Sequence, residues 1–357
     1  RSMELIPNLP EALGRECLMR VPYKYHNTLR QVCKTWKELM NDLKFCEDSR
    51  KFKLAEQRIC MIQHVPPSVP GIDGVYGITV CDPDNNIWER LPPMTKFQEG
   101  IILPIADCVT VNGKLVLIGA VYDPHISKRM KTNHDETIRR VFLYDFFKSK
   151  WRRCKDMPVI CANGVSAAIA AYTETGTERG FIYVAGGYNT VHGPNFRGAA
   201  AVYRVEEDEW EILPNMNRDI EGEGAFIDGK FYVIDESGSA EVFHPDTRRW
   251  TTVKNRGNSD QIVGPCMVPV GKRLYCYGYF TGVMEYMSKE CVWKELGPCP
   301  MKDVYDLSSA TQWGDNIFFG GSDLGGRAVF RIFVPPATEG AQFSETDIES
   351  RKDFTSW

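Results

Sequence analysis

Apolar positions along this chain follow two rhythms, and the change falls near residue 58. From Glu4 to about Gln57 they return at steps of three and four, the spacing of one helix face. Glu11–Met19 reads as a first helix, with Leu9-Pro10 before it and Val21-Pro22 stopping it. Leu13, Cys17 and Leu18 would share its apolar stripe. A second helix is predicted over Asn27–Met40, where Leu29, Val32, Cys33, Trp36, Leu39 and Met40 repeat with helical spacing. A helical linker through Phe45, Phe52 and Leu54 is expected to follow. About fifty residues of short helix bury little surface alone, so this segment should need a partner or a neighbouring domain.

From Arg58 onward the pattern is all-β, and it repeats. The unit is an apolar strand, a tight turn, a second apolar strand ending in Gly-Gly or its remnant, a third strand with an aromatic, then a Trp. Asp107–Val111, Asn112-Gly113, Lys114–Gly119, Val141–Phe146 and Trp151 make one copy. Val165–Tyr172, Phe181–Gly187, Ala200–Val205 and Trp210 make the next. Further copies end at Trp250 and Trp293, and a last one runs from Leu307 to Val334. Asn112-Gly113 and Asp228-Gly229 are hairpin turns of the kind that needs positive φ. Four-stranded units of about 40–50 residues that cannot bury their own faces predict a β-propeller, one blade per unit. Arg58–His64, Val75–Cys81 and Ile87–Leu91, with Trp88 in the fourth-strand slot, supply three strands of an earlier blade. That makes six blades, with a five-bladed ring of shared strands as the alternative. The first blade lacks an inner strand, which a closed ring would draw from the C-terminus. Residues 335–357 are a polar tail or the start of a closing strand, and the last blade's outer strand is expected only from about Trp357 onward.

Composition narrows the function. At 357 residues and 43% hydrophobic, the chain can build one large domain and a small one. A net charge of -4 gives no general argument for a nucleic-acid surface or an anionic membrane, and no run approaches a membrane span. The 12 cysteines are scattered singly with no C-x-x-C pair, which favours buried reduced thiols and a cytoplasmic or nuclear location.

Two families are resembled at once. Leu5-Ile6-Pro7-Asn8-Leu9-Pro10-Glu11, Cys17-Leu18, Val21-Pro22, Val32-Cys33-Lys34 and Trp36 look like an F-box. The pairs Gly186-Gly187 and Gly320-Gly321, the aromatic third strands and the trailing tryptophans resemble Kelch repeats, degenerate at Gly119, Asp235 and Gly278. The order, and the opening Met3-Glu4-Leu5-Ile6-Pro7-Asn8-Leu9-Pro10, are similar to plant F-box/Kelch-repeat proteins. The expected fold is therefore mainly β: an all-α F-box (3–44), a helical linker (45–57), a six-bladed Kelch β-propeller (58–334) and the tail.

The resemblance implies a substrate-recognition subunit of a Skp–cullin–F-box ubiquitin ligase, without catalysis or cofactor of its own. The F-box would dock a Skp-type adaptor, and through it a cullin–RING ligase. Leu9, Pro10, Cys17, Leu18, Val21, Pro22, Val32 and Trp36 are the residues that match its motif. These residues could equally pack the helices on one another. The propeller would hold a protein target on one face; phenylpropanoid or flavonoid enzymes and cytokinin-response regulators are the candidates the resemblance offers. Positions after each second strand reach that face: Tyr122, Tyr188, Asn189, Ser237, Tyr279, Phe280 and Ser322. Asn163, Glu221, Glu223 and Asp303 lie at entries to inner strands. The loop Ala120–Arg140 carries Lys128, Arg129, Lys131, Arg139 and Arg140, suited either to an acidic patch on a target or to plain solvation.

Some Kelch propellers are copper oxidases or iron-dependent specifier proteins. Here the six histidines share no close spacing, and none has an Asp four residues before it. His134-Asp135-Glu136 is the one possible metal cluster, and it reads more simply as polar loop. A Kelch scaffold that assembles proteins without degrading them is the alternative, and adaptor binding separates the two.

Overall fold

The structure, a computed structural model, describes residues 5–52, 54–65, 75–83, 87–92, 107–119, 139–157, 167–177, 179–186, 198–257, 266–278, 282–298, 306–322, 328–341 and 348–351. Four helices open it: α1 (Glu11–Met19), α2 (His26–Val32), α3 (Lys34–Met40) and α4 (Leu43–Lys51), with a 3-10 turn at Tyr23–Tyr25. The helix predicted over Asn27–Met40 is broken at Cys33, whose backbone is extended (φ -159, ψ 168). The Cys33 thiol instead caps α3, accepting from the Trp36 backbone N–H at 3.4 Å. A three-and-four apolar spacing continues across such a break, so periodicity alone could not reveal it. The linker helix also stops earlier than expected, at Lys51, so Phe52 and Leu54 lie beyond it. Leu5, Leu18, Leu39, Met40 and Phe45 form the small helical core, with Met19, Leu29 and Trp36 packed against it.

The remainder is a six-bladed β-propeller. Blade 1 is β1 (Ile59–Val65), β2 (Val75–Asp82) and β3 (Ile87–Arg90); blade 2 is β4 (Asp107–Val111), β5 (Lys114–Ile118), β6 (Val141–Asp145) and β7 (Lys150–Arg153). Blade 3 is β8 (Ala167–Thr173), β9 (Gly180–Gly186), β10 (Ala200–Arg204) and β11 (Glu209–Leu213). Blade 4 is β12 (Glu223–Ile227), β13 (Lys230–Ile234), β14 (Ala240–His244) and β15 (Arg249–Val253). Blade 5 is β16 (Cys266–Val270), β17 (Arg273–Gly278), β18 (Gly282–Met287) and β19 (Val292–Gly297). Blade 6 is β20 (Asp306–Trp313), β21 (Asn316–Ser322), β22 (Ala328–Phe333) and β23 (Ile348–Arg351). Every described blade pairing is antiparallel between sequence neighbours, which makes each blade a meander.

The repeat works through its tryptophans. On the outer strands, Trp151, Trp210, Trp250 and Trp293 lie directly across from Tyr144, Tyr203, Phe243 and Tyr286 of the third strands. Their ring centroids are 5.1, 5.0, 5.2 and 5.2 Å apart, contacts worth about 0.5–1.5 kcal/mol each beyond simple burial. Each indole N–H then donates to a carbonyl of the preceding blade or the segment leaving it: Trp151 to Pro92 at 2.7 Å, Trp210 to Lys155 at 3.0 Å, Trp250 to Pro214 at 2.7 Å and Trp293 to Gly238 at 3.2 Å. The same side chain thus closes its own hairpin and ties it to its neighbour. Two residues before each Trp, the chain turns through a positive φ at Ser149, Asp208, Arg248 or Cys291.

Apolar clusters fill the space between blades 2 and 3, 3 and 4, 4 and 5, and 5 and 6. Ile78 of blade 1 packs with Leu115, Leu117 and Phe142 of blade 2. Ile59, Cys81 and Trp88 of blade 1 meet Phe318, Phe330 and Ile332 of blade 6. Six clusters between six blades close the ring, and among the described residues the last closure is made by side chains rather than by a shared strand. The C-terminal expectation needs correction here. The outer strand of blade 6 is already present as β23, paired with β22. Its sequence Ile-Glu-Ser-Arg has no apolar run, so it does not stand out from the polar tail. Ahead of it, the buried Glu285 carboxylate accepts from the Gly340 N–H at 2.7 Å and pins the tail to blade 5.

Candidate functional site: an exposed helical rim and an opposed propeller face

In a four-stranded meander, the turns joining first to second and third to fourth strands share one end of the blade. The loops between second and third strands, and those between blades, share the other. The helical domain rests on the first of these ends, against the turn after β6: Tyr23 lies edge-on to Phe146 with centroids 5.8 Å apart, and Ser149 Oγ donates to Asn27 Oδ1 at 3.2 Å. Arg50 stacks over Phe147 at 5.7 Å. The strand ends that lead into the loops between second and third strands therefore lie at the end of the propeller away from the helices.

On the helical domain, the geometry of α1 sorts the predicted residues. Leu13 and Cys17, four apart, share the exposed side, where Leu13 keeps 48% of its surface open. Leu18, five from Leu13, turns inward with Gly14 and is 2% exposed. A Cβ on Gly14 would sit 3.2 Å from Leu5 Cβ, so α1 lies tight against the N-terminal segment there. Pro10 is exposed and Leu9, Val21 and Pro22 are half-buried. Val32 ends α2 with 56% of its surface open. Trp36 is turned to the core, its indole N–H donating to the Leu5 carbonyl at 2.7 Å. Of the eight motif residues, the structure thus brings Pro10, Cys17 and Val32 to the surface and uses Leu18 and Trp36 as packing. Leu13 and Tyr25, the latter 49% exposed, are further exposed apolar residues of the helical domain although they were not among the predicted contacts. The signal for Leu13 was its four-residue step to Cys17; Tyr25 had none.

On the opposite face, Glu221 and Ser237 are described and exposed, while Glu223 is open to solvent on one side but crowded by the protein atoms around the start of β12. Tyr122, Asn163, Tyr188, Asn189, Tyr279, Phe280 and Asp303 lie outside the described residues, as does His134-Asp135-Glu136. Ser322 ends β21, its backbone opposite Asp306 and Ala328. Blade 4 is described most fully. The loop after β13 is held by Asp235 Oδ1, which accepts from the backbone N–H of Ser237 at 3.0 Å and of Ser239 at 3.1 Å. The approach to β12 is held by Glu241, fully buried, which accepts from Arg218 Nε at 2.9 Å, Thr252 Oγ1 at 2.6 Å and the Asn217 N–H at 3.2 Å. Asp107 and Glu223 begin inner strands, which puts them at this end of the ring. Burial raises the Glu223 carboxyl to about 7, and burial together with the Glu223 charge raises Asp107 to about 7. Among the described residues no helix is long and apolar enough to cross a membrane.

Comparison with known proteins agrees with this division. The F-box domain family matches residues 6–48, which span all four helices but for the last turn of α4. The chain is 29% identical over 323 residues to the F-box/kelch-repeat protein At1g80440 of Arabidopsis thaliana, covering 86% of this chain and 84% of that protein. It is 29% identical to the F-box/kelch-repeat protein At1g15670 (86% and 85% covered) and 28% identical to the F-box/kelch-repeat protein SKIP20 (71% and 67%), both of the same plant.

Proposed function

We propose that this chain, an F-box/Kelch-repeat protein of the plant type, is the substrate-recognition subunit of a Skp–cullin–F-box ubiquitin ligase. The F-box supports adaptor binding in general. The observation that carries the finer reading is that the helical domain sits at one end of the propeller and the inter-blade loop ends at the other, with apolar side chains exposed on α1 and α2. Adaptor docking wants a few apolar anchors that become buried on association, and Pro10, Leu13, Cys17, Tyr25 and Val32 offer them. A protein target held by the far loops would then be presented for ubiquitination and degradation by the other subunits. Twelve cysteines scattered singly along the chain, with no C-x-x-C pair, support a reducing compartment, cytoplasm or nucleus.

The test is a pull-down with a purified Skp-type adaptor. Wild type is expected to bind, and a Leu13→Asp, Val32→Asp double variant to lose binding while its propeller stays folded. These two positions suit the purpose better than Trp36, whose loss would disturb the F-box core itself. No binding by a folded wild-type chain would sink the ligase reading and leave a Kelch scaffold. Binding should be followed by affinity capture of proteins that accumulate when this chain is absent.

A further inference from the structure

The F-box core contains neither Tyr23 nor Arg58, yet both make contacts across the domain junction. Arg58 immediately precedes β1 and its side chain is only 8% exposed. Its guanidinium bonds Glu56 at 2.7 Å, reaches Glu89 of β3 at 3.5 Å, and lies 5.2 Å from the centre of the Tyr23 ring. Glu56 in turn accepts from the Tyr23 backbone N–H at 3.2 Å. The Tyr23 ring meets Phe146 of the turn after β6, whose Ser149 hydroxyl bonds Asn27. Helical domain, linker, blade 1 and blade 2 all converge on one aromatic ring.

Domains joined by a short linker move relative to one another unless something holds them. We infer that Tyr23 and Arg58 form a latch that fixes the F-box to the base of blades 1 and 2. They act as a positioning pair, setting the distance and direction from adaptor to target. The ring supplies a flat surface that caps the Arg58 guanidinium, and Glu56 and Glu89 balance its charge from the sides. Removing Tyr23 uncovers one face of a guanidinium that keeps Glu56 and Glu89. Removing Arg58 leaves the ring on Phe146 without its bridge to the linker and blade 1, so either change should loosen the junction. The consequence for ubiquitin transfer rests on the ligase reading above; the latch itself does not.

The experiment uses the full chain, with Tyr23→Ala and Arg58→Met as separate variants and the exposed neighbour Lys24→Ala as control. Hydrogen exchange and small-angle scattering are measured on each, and adaptor affinity in parallel. Both latch variants should lose about tenfold or more of their exchange protection at residues 54–58 and 146–149, with a larger radius of gyration. Protection of α1, α3 and the inner strands, and adaptor affinity, should match wild type. Unchanged exchange and scattering in both variants would overturn the latch. So would loss of protection spreading through α1 and α3, which would assign Tyr23 to folding of the F-box. A wild-type chain that fails to bind adaptor refutes the ligase reading while leaving the exchange result intact.

Discussion

Gly224 sits on β12, where the inner strands of blades 3 and 4 run side by side. A Cβ built on it would lie 2.5 Å from the Ile169 nitrogen, 2.6 Å from its oxygen and 2.7 Å from its carbonyl carbon. All three are backbone atoms of β8, held in register by β9, so no flexible side chain can swing aside. Gly224 has no positive φ to penalise, and the whole cost of Gly224→Ala is therefore steric. Overfilling a packed interior costs about 1–3 kcal/mol, and the stiffer unfolded chain returns about 0.4–1 kcal/mol. Backbone must move against backbone here, so a net loss near the upper part of that range, about 2 kcal/mol, is expected. At roughly 2–4 °C per kcal/mol for a domain of this class, the melting temperature should fall by about 4–8 °C. Gly229→Ala is the matched control, at a turn with φ 73 and nothing within 4 Å of its added carbon. It carries only the left-handed backbone penalty of about 1–2 kcal/mol, partly offset by the same unfolded-state gain. Thermal melts followed by circular dichroism compare the two. If Gly224→Ala melts within about a degree of wild type, or Gly229→Ala proves the worse of the pair, the crowding argument fails.

Other consequences can be measured separately. Arg218→Ala strips the fully buried Glu241 carboxylate of its charged partner and should cost about 2–4 kcal/mol in urea unfolding, with the Glu241→Leu, Arg218→Met double variant recovering part of the loss. Leu13→Ala and Val32→Ala each remove an anchor about half open in the free chain, worth about 0.7–1.5 kcal/mol on burial. By titration calorimetry each should weaken adaptor binding some 3- to 12-fold, and wild-type affinity in the double variant would place the docking surface elsewhere. Asp107 carries its proton in the folded state up to about pH 7, whereas the unfolded chain releases it near 4. The folded state therefore holds more protons between those limits, and this contribution, complete below about pH 4, is lost as pH rises through about 7. The melting temperature of wild type relative to Asp107→Asn should fall between about pH 5 and pH 8, and parallel curves would refute it.

The sequence made the blades legible because their signal repeats. Leu-Val-Leu-Ile of β5 and Phe-Tyr-Val-Ile of β13, each after one Lys, are unbroken runs of buried side chains, as strands covered on both faces must be, and turns such as Asn112-Gly113 fix their ends. Features that occur once were harder to see. The break at Cys33 leaves the apolar spacing undisturbed, and β23 has no apolar spacing to read. Leu18 and Trp36 match the F-box motif as well as Pro10 and Val32 do, because a motif records which residues a fold requires without separating those that fill its core from those that meet a partner.

What joins the two domains was legible in neither half. Tyr23 follows a proline in a helical connection and Arg58 precedes a strand, and each alone reads as an ordinary surface residue. Their roles arise from surfaces brought together across 35 residues of sequence and from the turn at Ser149, which is 91 residues beyond Arg58 and holds a left-handed backbone (φ 50). That turn recurs at Asp208, Arg248 and Cys291, so the repeat offers the same hairpin four times. Blade 2 alone among these four places an aromatic pair, Phe146-Phe147, in it. The corresponding segments ahead of Asp208, Arg248 and Cys291 read Val205-Glu206, Pro245-Asp246 and Ser288-Lys289. A propeller of near-equivalent blades needs one distinct hairpin to fix where a second domain attaches, and the apolar pair at 146–147 supplies it.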